Sequence, residues 1–278
     1  MQNKRKLNKK FILIIGIILL SIGTYLWSTL VSPTSFELNH QTFIHSSIPE
    51  GFDNFKIAFF SDLDLQTEKD LDYLEKCITK MNEAKCDMAI FGGDLFEGNQ
   101  FFSEDRLVSI LKSINVTQGK LAVLGENEIK GKTDQCIEIL EKSGFEVLRN
   151  KAHYVYANED RIVLAGLENS SQLDSLLSAD MPQHFILSVI HQPDYFTELQ
   201  KSSSLLQLSG HSAGGIIQIP FMRGMIHFDG SKTYTSGTTT INNHTLMISN
   251  GIGLGHNQNF RFNANPNAII LTLKTSSQ

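Results

Sequence analysis

Residues 11–36 contain no charged side chain, and residues 11–30 are dominated by Ile and Leu. About 20 consecutive apolar residues suffice for an α-helix to cross a bilayer. Beyond residue 36 the pattern changes to short apolar runs separated by amphipathic stretches. An edge strand is expected over 36–44. The runs at 55–60, 86–90, 120–124, 145–148, 154–157, 161–165, 185–190, 205–208, 246–249 and 268–273 read as strands, several apolar enough to be buried on both faces. Between the first of them, Leu71, Leu74, Ile78 and Met81 recur at helical spacing behind a capping Thr67. Leu107, Ile110, Leu111 and Ile114 predict a second helix, Ile137 and Leu140 a third that stops at Gly144, and a short one is expected to end at Leu199. Strand, helix, strand succession predicts parallel pairing and an α/β fold, with the strands' carboxyl ends on one edge.

Those strand ends carry the polar chemistry. They read Ser61-Asp62-Leu63-Asp64, Phe91-Gly92-Gly93-Asp94, Gly125-Glu126-Asn127-Glu128, His191-Gln192-Pro193 and Gly210-His211-Ser212-Ala213. Two carboxylates two residues apart on extended chain face the same way, and paired glycines before Asp94 allow a sharp turn and close approach to a ligand. One such residue means little, but acids and histidines after strand upon strand point to metal coordination.

Charge adds topology. Lys4, Arg5, Lys6, Lys9 and Lys10 precede the apolar stretch, whereas Tyr25 and Trp27 sit near its far end. The positive-inside rule and the aromatic belt then predict a cytoplasmic tail at 1–10, a transmembrane anchor at 11–31 in contact with membrane lipid, and the remainder outside the cytosol. A cleaved signal peptide competes with this reading, but the apolar stretch is long and residues 29–32 make a poor cleavage site. Residues 32–54 form a stalk and edge strand, and 55–278 one domain. A net charge of −5 with 19% charged residues excludes a nucleic-acid-binding surface. Cys77, Cys86 and Cys136 cannot all pair within the chain and read as buried thiols.

The strand-end motifs resemble, in order and context, those of the calcineurin-like metallophosphoesterases: Asp-x-His, Gly-Asp, Gly-Asn-His, a lone His and Gly-His-Thr-His. The resemblance covers about residues 55–275, including 249–253 and 260–266, and its nearest branch is a membrane-anchored bacterial one similar to hydrolases of diacylglucosamine nucleotides. It implies a four-layer α/β/β/α sandwich and hydrolysis of a phosphate ester or pyrophosphate, on a phosphorylated small molecule or a lipid-linked substrate. It also implies one or two divalent ions, Mn, Mg, Zn or Fe, sharing Asp94 as a bridge. Asp62, Asp64 and Asp94 with position 213 would hold one ion, and Asp94, Glu126, His191 and His211 the other. The chain departs from the pattern at four positions: Asp64, Asn127 and Ala213 stand where the family has His, and Glu126 where it has Asn. The added carboxylates favour hard ions, whereas Ala213 donates nothing. Asn127, at the position of the catalytic His, can donate a hydrogen bond but not carry a proton, and losing a general acid costs about 10² to 10⁴ in rate. The alternative function is therefore a non-catalytic binding or scaffold module at the membrane surface. Surface roles are expected for His244 and His256, a structural one for Arg261, substrate proximity for Arg223 and His227, and a lipid-facing groove or a plain strand for 216–222.

Overall fold

The structure is a computed structural model that describes residues 9–176, 180–219, 222, 224–253 and 260–276. Most of the basic tail, together with Arg223 and His256, lies outside the described residues. In chain order the elements are α1 (Lys9–Leu30), β1 (Glu37–His45), β2 (Lys56–Phe60), β3 (Leu65–Thr67), α2 (Glu68–Glu83), β4 (Met88–Phe91), β5 (Phe96–Phe101), α3 (Glu104–Lys112), β6 (Gly119–Ala122), α4 (Thr133–Lys142) and β7 (Phe145–Val147). There follow β8 (Lys151–Ala157), β9 (Asp160–Leu167), α5 (Leu173–Leu176), β10 (Ile186–Ile190), α6 (Phe196–Leu199), β11 (Leu206–Ser209), β12 (Gly237–Ile241), β13 (His244–Ile248) and β14 (Asn267–Thr275).

Two six-stranded sheets pack face to face, in the orders β1-β14-β2-β4-β6-β7 and β12-β13-β11-β10-β9-β8. Alternation along each strand decides which layer a side chain enters. In β2, Ile57 and Phe59 point between the sheets against Leu164, Leu187 and Leu208, while Ala58 and Phe60 face the helices with Leu74, Leu107 and Leu140. On the far side of the second sheet, Ala165, Leu167 and Ile190 pack on Leu173 and Leu199 from α5 and α6. The result is the expected four-layer α/β/β/α sandwich.

The β2-α2-β4 unit pairs in parallel as its periodicity predicts. Its helix opens with a capping box between Thr67 and Asp70. β1 is hydrogen-bonded to β14 along its whole length, so the strand assigned above to the stalk region is part of the first sheet. All three cysteines are buried and unpaired, Cys77 on α2, Cys136 on α4 and Cys86 just before β4. His244, expected at the surface, is half-buried. It begins β13, where its Nδ1 bonds the Ser204 carbonyl.

α1 is long and apolar enough to cross a membrane, and its side chains are exposed along nearly its full length. Its last turns meet the domain. Tyr25 packs against Phe260, Trp27 lies edge-on to Phe262, and the Ser28 carbonyl accepts from the Arg261 backbone N–H at 2.9 Å.

Candidate metal centre

β2, β4, β6, β10 and β11 end at one edge of the sandwich, and the loops leaving them converge. Asp62 follows β2, Asp94 follows β4, the 125–128 turn follows β6, His191 follows β10 and His211 follows β11. The turns are tight. Asp62, Asp64, Asp94, His211 and Ala213 all adopt the left-handed backbone, with φ of 51°, 48°, 59°, 69° and 47°. This region costs a non-glycine residue about 1–2 kcal/mol. Backbone bonds between the loops hold them there: Asp62 N–H donates to the Gly93 carbonyl at 2.8 Å and Leu63 N–H to the Asp94 carbonyl at 2.7 Å. Glycine is required where the loops touch. A Cβ on Gly125 would stand 2.0 Å from Asp94 Oδ1, and one on Gly210 would stand 2.3 Å from Asp62 Oδ2.

Asp94 is the centre of the cluster. Its Oδ1 accepts the Asn127 backbone N–H at 3.2 Å, its Oδ2 accepts Asn127 Nδ2 at 3.1 Å, and His191 Nε2 lies 3.1 Å from the same oxygen. His191 Nε2 is also 3.8 Å from Asp62 Oδ1, and the ring is oriented from behind by its Nδ1 bond to the Gly92 carbonyl at 2.8 Å. The His211 ring sits 5.1 Å from that of His191, with Nε2 held by the Asp229 carbonyl. Asp62 in turn receives the His211 backbone N–H on both oxygens, at 2.9 and 3.1 Å, and the Ser61 hydroxyl.

Asp94, His191 and His211 each offer a ligand atom within 4.8 Å of the others, and all three are buried. Burial opposes the charge on Asp94, but His191 and the Asn127 N–H outweigh it and hold the carboxyl below its usual range. Conversely, His191 is held well above its ordinary value by Asp94 and Asp62 despite burial. Burial raises Asp62, and it raises Asp64 strongly with help from Asp62, Asp94 and Glu97. Desolvation and the neighbouring His191 lower His211.

Asp64 Oδ2 is enclosed and accepts no hydrogen bond among the described residues. Crowded buried carboxylates, one with an unsatisfied oxygen, beside two imidazoles oriented by backbone carbonyls are a donor set that fits a hard or borderline divalent cation.

The other expected residues fall around this core. Glu126 lines the same small cavity as Asp94 and His211 and is at its rim, where its Oε2 accepts from Lys130 at 3.1 Å and from Gln192 at 3.2 Å. Ala213 is buried and lines a cavity of about 60 Å³ with Asp62, Asp64 and Arg261. Arg261 is fully buried; its Nη1 donates to the carbonyls of Asn250 and Ala264 and its Nη2 to that of Gly253. It therefore holds the 250–253 loop, whose Gly253 N–H donates to the Asp62 carbonyl at 2.7 Å. His227 is exposed and bonds the Lys232 carbonyl.

Sequence reasoning missed Glu128. It is 2% exposed, and its carboxylate accepts the backbone N–H groups of Asp94 at 3.0 Å, Leu95 at 2.6 Å and Gly125 at 2.6 Å. A single side chain thus ties the β4 loop to the β6 loop. The available signal was its place three residues after Gly125, where a Glu side chain can fold back on its own turn as in a capping box.

Two packed sheets of an α/β fold thus carry a histidine and carboxylate group at their carboxyl edge whose donors suit a divalent cation. No family model matches the chain. The uncharacterized metallophosphoesterase YkuE of Bacillus subtilis (strain 168) is 29% identical over 262 residues, covering 92% of this chain and 91% of that protein. The phosphodiesterase YaeI of Escherichia coli (strain K12) is 24% identical, covering 79% and 82%. The chain is thus similar over most of its length to proteins described as metallophosphoesterases, a family that uses divalent metals. Its fold also matches the NAD nucleotidase of Haemophilus influenzae with a TM-score of 0.51 at 11% identity, over 71% of this chain and 45% of that longer one.

Proposed function

We propose that the protein is a membrane-anchored, divalent-metal-dependent phosphoesterase whose domain lies outside the cytosol and cleaves a phosphate ester or pyrophosphate, including lipid-linked ones. The observation that carries this reading is the convergence of Asp94, His191 and His211 within 4.8 Å. Asp62, beside His191, completes the set that would hold an ion. When bound, a divalent metal polarises phosphoryl oxygens and makes water more acidic.

The chain's own residues do the rest. The Gly92 and Asp229 carbonyls fix the two imidazoles. Glu128 fixes the Asp94 backbone, and Asn127 orients the Asp94 carboxylate through two hydrogen bonds. Asn127 can donate to a phosphoryl oxygen but cannot protonate a leaving group, so ester substrates with acidic leaving groups are favoured.

The test is elemental analysis of the purified full chain, with turnover of phosphodiesters and monoesters under Mn²⁺, Zn²⁺ and Mg²⁺. Bound metal with turnover supports the reading; neither would overturn it. Bound metal without turnover favours the second reading, a non-catalytic binding module, which is supported by the donorless Ala213 and by the engagement of the Asn127 amide with Asp94.

Restoring both positions separates the two further. Asn127→His with Ala213→His is expected to raise metal stoichiometry and to increase turnover by about 100-fold, the low end of a general acid's contribution. The φ of 47° at position 213 lies in the left-handed region, where histidine is among the better tolerated side chains.

A further inference from the structure

The excursion after the metal centre leaves Gly215 and returns at Met225, whose N–H donates to the Ile217 carbonyl at 2.9 Å, while Ile226 N–H returns to the Gly215 carbonyl at 3.0 Å. Beyond the buried Ile216 and the half-buried Ile217, four described apolar side chains are exposed: Ile219 at 37%, Met222 at 61%, Met225 at 48% and Ile226 at 38%. Four large apolar side chains exposed on one short excursion call for a partner surface.

The identity of that surface follows from what the excursion is rooted on. Ile217 bridges to Phe262, Gln218 N–H donates to the Phe262 carbonyl, and Phe262 N–H donates to that of Ile216, both at 2.9 Å. Phe262 lies edge-on to Trp27 with ring centroids 6.5 Å apart, Phe260 packs on Tyr25, and the intervening Arg261 bonds the last turns of α1 through Ser28. The excursion is therefore one strand spacing, about 4.8 Å, from a segment fixed to the aromatic end of the membrane-length helix. Tyr and Trp at such an end mark the level of the lipid headgroups. A group of methionine and isoleucine side chains beside them stands at the depth where an amphipathic segment enters the headgroup and acyl boundary.

We infer that Ile219, Met222, Met225 and Ile226 form a second membrane contact, dipping into the same leaflet in which α1 ends. The occupant is the lipid surface, and the contact is continuous with the anchor through 260–262. It follows the centre closely in sequence, Gly215 being four residues past His211, and its two ends are packed together, with a Cβ on Gly215 standing 2.6 Å from the Gly224 Cα. The inference rests on reading α1 as a membrane span, and the following experiment distinguishes failure of the two.

The sequence contains one tryptophan, Trp27. The full chain is reconstituted in phosphatidylglycerol vesicles with and without lipid brominated near the top of one acyl chain. Wild-type emission reports α1, and Met225→Trp in a Trp27→Phe background reports the excursion, with Met222→Trp as a second probe should the first misfold. Tyr156→Trp, on the far edge strand of the second sheet, is the control.

Bromolipid is expected to quench the indole introduced at position 225, or at position 222, by at least about twofold, the response of a side chain buried some 5–10 Å into the boundary, with protection from aqueous iodide and no quenching at position 156. Quenching of Trp27 alone overturns the inference while leaving the anchor intact, and quenching of neither overturns both. Shielding of position 225 from lipid and iodide alike would mean that protein covers it, a second copy included, and also overturns the inference.

Discussion

Asp94→Asn is expected to reduce bound divalent metal to background and to lower phosphoester turnover by at least about 100-fold, the upper end of what loss of a group merely supporting the ligands produces. Asp94 is the one carboxylate that His191 Nε2 approaches at 3.1 Å, and it is grouped with both histidines within 4.8 Å. The amide keeps the volume, and its oxygen can still accept a hydrogen bond from Asn127, so the fold should survive. His191, no longer beside a full negative charge, returns toward neutrality, and the site loses the charge that attracts a cation. Elemental analysis and turnover of the full chain, each beside the wild type, provide the measurement. Metal retained at wild-type stoichiometry would show that Asp94 is not a ligand.

Glu128→Ala should be the most destabilising single change at the site. Three buried backbone N–H groups, those of Asp94, Leu95 and Gly125, lose their acceptor at once. An unsatisfied buried donor costs about 1–3 kcal/mol, so three of them set a loss of about 3–9 kcal/mol, less whatever water can recover. Glu128→Gln keeps one oxygen but turns an NH₂ toward the N–H groups, and should fall between the alanine variant and wild type. Denaturant midpoints of the three proteins in one detergent check the order. An alanine variant within about 1 kcal/mol of wild type would contradict the role given to this side chain, because even one orphaned N–H should cost that much.

Much of the architecture was legible because burial on two faces leaves a continuous apolar run, as in residues 56–60 and 186–190, and because α2 to α4 repeat at helical spacing. Short β3 and β5, with polar sequences, gave no such signal and form through the loops they connect. At the site, the residue types and their strand-end positions were visible, and Asp94, His191 and His211 do converge. What periodicity could not reveal is side-chain direction. Glu126 and Glu128 are two residues apart on one turn, yet the first faces Lys130 and Gln192 at the rim while the second is buried beneath Asp94. Only the approach of the β4 loop to within contact of Gly125 decides which glutamate is enclosed.

The bond from Arg261 to the Ser28 carbonyl has a consequence for substrate choice. An anchor joined through a limp linker would let the catalytic edge sweep a hemisphere and meet targets at any distance from the lipid. Here the last turns of α1 are bonded to the same arginine that holds the loop against Asp62. Were α1 to span a bilayer as proposed, the centre would be mounted near one height above it, and a scissile phosphate would be selected by that height as much as by its shape.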